Sequence, residues 1–185
     1  MQINTVSELL HWSYANLAVA QAAVAEKAEK YGRTHFMIRA RLYAGLNKKN
    51  MKIGPLAIDE RLKMILPQAC CYCGSREFLS ADHLIPTKRG GCNVGDNLVW
   101  ACRSCNCSKR DRDVLEWLAE KKPFPALLLL RRYLKLAIQM SCEKNIMGMP
   151  IKEIPDLPFL LSAIPVAYPL PSQLQLWVIE IEGRA

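Results

Sequence analysis

From Leu10 through Tyr14, Leu17 and Val24 to Tyr31, apolar side chains recur at helical spacing until Gly32 breaks the series. Thr5-x-x-Glu8 stands ahead of them as a capping box, so the pattern predicts a long opening helix whose apolar stripe packs on the rest of the fold. A second helix is expected around residues 35–46, with Ile38, Leu42 and Leu46 on one face, Arg39 and Arg41 elsewhere on its surface and Lys48-Lys49 beyond its end. Those cations read equally as a track for a phosphate backbone or as an ordinary solvated face. A short helix over 58–66 stops at Pro67, because the residue before a proline avoids the helical region. The period then changes: 77–83 and 97–101 read as two strands around a polar loop, 87–96, that holds Gly90, Gly91 and Gly95. Val114, Leu115, Trp117 and Leu118 form another helical face up to Lys121-Lys122-Pro123, and residues 127–140 a strongly apolar helix. Beyond it, six of the eleven prolines fall between Pro150 and Pro171, which predicts an extended tail wrapped on the body.

With 185 residues, 51% of them hydrophobic, the chain can bury one ordinary core and carry appendages. The net charge of +8 is uneven: residues 1–144 hold 23 Lys/Arg against 13 Asp/Glu. A basic body attracts polyanions, of which nucleic acid is the commonest. No apolar run approaches a membrane span, the longest being Ala126 to Leu130 before Arg131-Arg132. The start MQINTVSELLHWSY lacks the basic and apolar regions of a secretion signal, so cytoplasmic localisation and reduced thiols are expected for the eight cysteines.

Four of those cysteines form two CxxC pairs, Cys70/Cys73 and Cys102/Cys105, the spacing of two knuckles on one tetrahedral, purely structural zinc. Cys71 competes with Cys70 for the first position; the two-residue spacing favours Cys70, and Cys92, Cys107 and Cys142 are left as free thiols. The 28 residues between the pairs exceed the roughly 15–20 of a simple zinc ribbon, so something is inserted. The insert carries Asp82-His83. Imidazole readily accepts a proton near neutral pH, making His83 a candidate general base, and Asp82 offers a hard oxygen for a divalent cation. Strand neighbours point to opposite faces, so both serve one site only where the strand ends or distorts, as the approach to Pro86 permits. His11 and His35 lack paired ligand spacing and stay outside the site.

CYCG at 71–74, ADHLIP at 81–86, Gly90-Gly91, DNLV at 96–99 and CRSCNCSK at 102–109, five elements in order over about 40 residues, resemble the HNH endonuclease family. The resemblance implies an α+β, mainly helical fold in which a ββα-metal HNH core with a four-cysteine zinc site carries N- and C-terminal helical additions and a proline-rich tail. The expected organisation is an N-terminal helical region at 1–66, the nuclease core at 67–120, a helix at 121–148 and the tail at 149–185. The resemblance also makes Asn106 a second metal ligand and Asn97 the residue that ties the loop to the strand and orients the base. Asp82 and Asn106 together suit Mg²⁺ or Mn²⁺. Lys109, Arg110, Arg103, Lys88 and Arg89 are the expected nucleic-acid contacts. The implied function is metal-dependent hydrolysis of DNA by a monomer or homodimer. A non-catalytic, zinc-stabilised nucleic-acid-binding module is the alternative, followed by a protein-interaction module.

Overall fold

The structure, a computed structural model, describes residues 2–121 and 124–179; Lys122, Pro123 and the end of the tail, 180–185, lie outside the described residues. Three helices, α1 (Val6–Ala25), α2 (Arg33–Asn47) and α3 (Leu56–Ile65), precede the antiparallel hairpin of β1 (Leu79–His83) and β2 (Leu98–Cys102). Helices α4 (Arg103–Lys109), α5 (Val114–Ala119) and α6 (Leu127–Glu143) follow, and then the tail. Among the described residues no helix is long and apolar enough to cross a membrane.

Helix α1 begins as its capping box requires. Thr5 Oγ1 accepts from the Glu8 amide at 3.3 Å, and Glu8 Oε2 accepts from the Thr5 amide at 3.1 Å. It ends earlier than the apolar period suggests. Lys27 adopts φ +54°, Ala28 donates to Ala23 O and Lys27 to Val24 O, a double closure of the kind glycine usually supplies. Tyr31 therefore falls beyond the helix, where its hydroxyl donates to Pro169 O at 2.9 Å. On α2, Leu46 is buried but Ile38 is exposed, and Arg39 lies 4.6 Å over the Trp12 ring while donating to Asn16 Oδ1. That packing, not a phosphate track, is where Arg39 is engaged.

Leu127, Leu130 and Leu134 bury one face of α6 in a core shared with Leu10 and Leu17 of α1, Trp117 of α5 and Phe159 of the tail. Arg132 and Lys135 are buried too and Arg131 is half-buried, which the apolar reading of α6 did not anticipate. Asp59 of α3 accepts from Arg131 Nε at 2.6 Å and from Lys135 Nζ at 2.5 Å. Glu60 accepts from Arg132 at 2.9 Å, and Arg132 also donates to the carbonyls of Gly95, Asp96 and Leu98. The tail is extended, with single 3-10 turns at Ile151–Glu153, Leu161–Ala163 and Pro171–Gln173. Val166 O accepts from the Trp12 indole, and Leu127 and Leu128 donate to Gln175 O and Leu176 O. The tail thus seats α1 and caps the start of α6.

Removing one partner of a buried ion pair leaves the other charge uncompensated. Asp59→Ala is therefore expected to lower stability by about 3–5 kcal/mol, measured by equilibrium urea unfolding. A loss below about 1 kcal/mol would place the cluster with surface ion pairs instead.

Candidate functional site

The first knuckle turns on Gly74, whose φ of +82° lets its amide return to Cys70 O at 2.8 Å. The second sits where β2 passes into α4: Cys102 is the N-cap, its Sγ accepting from the Cys105 amide at 3.5 Å. The hairpin brings the two together. The thiols of Cys70, Cys73, Cys102 and Cys105 lie within 4.8 Å of one another, and Cys73 Sγ is 3.7 Å from Cys102 Sγ. Four sulfurs on one zinc at about 2.3 Å stand about 3.8 Å apart, so the cluster fits a structural zinc. Burial pushes the Cys70 and Cys105 thiols up, while at Cys102 burial is outweighed by the Cys105 amide and the neighbouring thiols, which lower it. Cys71 is buried outside the cluster, and burial pushes its thiol well up.

Register sorts the candidate residues onto faces. Asp82 pairs with Val99 and Ser80 with Ala101, and Val99 and Ala101 are buried, so Asp82 leaves β1 on the core side. There Tyr72, the residue before Cys73 in the first knuckle, donates to Asp82 Oδ2 at 2.6 Å, and Lys109 Nζ lies 3.3 Å from the same oxygen. Tyr72 packs edge-on against Trp117; burial, with Cys71 and Asp82 nearby, holds its hydroxyl protonated far above the ordinary tyrosine range. Asn106 Nδ2 donates to Ser80 Oγ at 3.4 Å, one turn from Lys109 on the same face of α4. Ser80 and Asp82 share a strand face, Asn106 and Lys109 a helix face. Helix α4 thus packs on β1 with Asn106 against Ser80 and Lys109 against Asp82.

His83 closes the ladder opposite Leu98, at the strand end. Its ring is held by Asn93, whose Oδ1 lies 2.9 Å from His83 Nε2, and its carbonyl accepts from Lys109 at 3.0 Å. Asn97 is buried and braces the loop: Oδ1 accepts from the Ile85 amide, and Nδ2 donates to Ile85 O and Cys92 O, each at 2.8 Å. The double glycine has a cause in the same loop. Gly90 takes φ +96°, and a Cβ on Gly91 would stand 1.9 Å from Ile85 O.

The expected phosphate contacts divide. Arg103 and Arg110 are exposed, at the two ends of α4. Lys88 pairs with Asp111 at 2.8 Å in the open, and Arg89 donates to Pro158 O of the tail. Lys109 is corrected outright: it is 1% exposed, and its ammonium faces Asp82, His83 O and Arg110 O. An ammonium has three donors, all committed inside the protein. Tyr72, Ser80 and Asn93 are the site residues that sequence reasoning missed; only Tyr72, lodged between knuckle cysteines, carried a recognisable signal.

In comparisons with known proteins, the HNH endonuclease family model matches residues 70–112, from the first zinc knuckle to the turn after α4. No curated protein and no solved structure matches the chain. The four-cysteine cluster and the ββα order of β1, β2 and α4 fall within the matched residues, so the match holds in local fold as well as in sequence.

Purified protein is expected to hold about one zinc per chain. Stripping the zinc should abolish the near-ultraviolet circular dichroism of the Tyr72–Trp117 pair together with the metal; protein that purifies folded without zinc would overturn the assignment. Lys109→Ala, which strands Asp82, should lower stability by about 3–5 kcal/mol in urea unfolding while leaving zinc content unchanged.

Proposed function

We propose that the chain is a metal-dependent endonuclease that hydrolyses DNA phosphodiester bonds. The observation that carries this reading is the packing of α4 on β1, which sets Asn106 against Ser80 and Lys109 against Asp82 on the strand that ends at His83. With Asn93 Oδ1 accepting from His83 Nε2, the Nδ1 lone pair is the one free to take a proton from water. Lys109 fixes the His83 main chain, Asn97 fixes the turn beyond it, and both therefore act as positioning residues. Asp82 has one oxygen bound to Tyr72 and Lys109, which leaves the second, with Asn106, as the oxygen donors for Mg²⁺ or Mn²⁺. Such an ion supplies charge neutralisation at the phosphate and at the departing 3′ oxygen. Water activated at His83 attacks phosphorus, and the P–O3′ bond breaks, leaving 5′ phosphate and 3′ hydroxyl ends. Arg103 and Arg110 are suited to the flanking phosphates.

The Lys109–Asp82 pair also favours a second reading, since a lysine that already neutralises the carboxylate weakens its hold on a divalent ion. In that reading the zinc-stabilised segment binds nucleic acid without cutting it. A plasmid cleavage assay in Mg²⁺, Mn²⁺ or EDTA separates the two. Wild type is expected to cut only with added metal, and His83→Ala to keep its zinc and lose about 10²- to 10⁴-fold of the rate. Products with 5′ hydroxyl ends would overturn the mechanism. DNA binding without cleavage, unchanged in His83→Ala, would favour the binding module.

A further inference from the structure

Phe78 is the most exposed large hydrophobic residue among those described, with 81% of its surface open to solvent. It also adopts φ +49°, in the left-handed region that bulky side chains rarely occupy. Both features work against stability, and strain of this kind gathers where a side chain must be aimed. The φ value explains why β1 begins at Leu79 and not at Glu77: Phe78 breaks the extension before the ladder starts.

The ring stands on a braced base. Phe78 O accepts from the Arg103 amide at 3.1 Å, the next residue, Leu79, pairs with Cys102, and Glu77 donates its amide to Ser75 Oγ at the edge of the first knuckle. Both zinc knuckles therefore hold the backbone that presents it. Arg76, two residues before it, and Arg103, whose amide donates to the Phe78 carbonyl, are both exposed, one beside each knuckle. An exposed aromatic ring on a basic stretch of chain suits a base beside phosphates better than an acidic or apolar protein surface.

We propose that Phe78 is a base-stacking residue, and that the nuclease acts on nucleic acid with an unpaired base lying to one side of the scissile bond. This rests on the nuclease reading of the β1–α4 packing. From Phe78 to His83 the strand rises about 3.3 Å per residue, so the stack lies within roughly 16 Å of the base, at most about five nucleotide steps at about 3.4 Å each. Energetics select the substrate class. One base–aromatic stack is worth about 5- to 150-fold in affinity, and opening a base step in continuous duplex costs a comparable or larger factor. A base already unpaired, in a gap, flap or single strand, avoids that opposing factor. The ring reads no hydrogen-bonding edge, so the preference is for structure and not for sequence.

The test uses the full chain with its zinc and a set of oligonucleotides: continuous duplex, and duplexes with a short gap placed at increasing distance from the cut. Binding is followed by fluorescence anisotropy, and stacking by 2-aminopurine at the unpaired position. Wild type is expected to bind and cut gapped DNA better than continuous duplex. Phe78→Ala should weaken gapped binding about 5- to 150-fold and leave duplex binding unchanged, while Phe78→Trp restores it and quenches the probe. Equal melting temperatures for the variants exclude a folding effect. If wild type cuts DNA and Phe78→Ala matches it on every substrate, the stacking proposal falls and the nuclease reading stands. If the protein binds gapped DNA through Phe78 but never cuts, the nuclease reading falls and the base contact stands. Absence of binding to any nucleic acid at low salt, or loss of self-association in Phe78→Ala without a change in DNA binding, overturns the proposal.

Discussion

A buried ammonium group sets how the site is assembled. Lys109 of α4 can stay out of water only because Asp82 of β1 neutralises it and two carbonyls take its remaining protons. Tyr72 adds a donor to the same carboxylate oxygen from the first knuckle. The first knuckle, β1 and α4 are thus joined at one point, and the cysteine cluster joins the knuckle and α4 at another through Cys70 and Cys73, Cys102 at the end of β2, and Cys105. Two fastenings along one short helix leave α4 no freedom to roll. Asn106, between them, has a defined direction.

The elements legible in the sequence are those whose cause is local. The Thr5–Glu8 capping box, the alternation of the two strands, the glycine pair and the CxxC spacings each depend on neighbours a few residues away. What stayed hidden depends on distant partners. Lysine is ordinarily a surface residue, so nothing near Lys109 announced that Asp82, 27 positions earlier, would take it inside. The charges of α6 were hidden in the same way: residues 127–140 read only as an apolar helix, and nothing local showed that α3 would bring Asp59 and Glu60 to Arg131, Arg132 and Lys135. Lys27 hid the end of α1 because lysine, unlike glycine, does not advertise a left-handed turn. Asn93 was one polar loop residue among several, singled out only by where the His83 ring falls.

Helical parts outside residues 70–112 reach into the site through backbone. Arg132 binds the carbonyls of Gly95, Asp96 and Leu98, which flank Asn97 on both sides, and Asn97 in turn grips Ile85 just past the candidate base. A second junction forms at buried Asp113, which caps α5 and accepts from the Tyr133 hydroxyl of α6 and the Leu160 amide of the tail. Burial beside that carboxylate holds the Tyr133 hydroxyl protonated well above the ordinary range, so it acts there as a permanent donor. The additions brace the turn and the helix ends around the candidate residues.

The tail's bonds have a consequence in time. Trp12 and Tyr31 find their acceptors on Val166 and Pro169, more than 130 residues later, and the opening amides of α6 find theirs on Gln175 and Leu176. Translation delivers these acceptors after nearly everything they complete. Contacts this distant in sequence form late in folding, since a long loop must close before they are made. A chain cut ahead of residue 166 would leave Trp12 and Tyr31 without these acceptors and the opening amides of α6 without theirs.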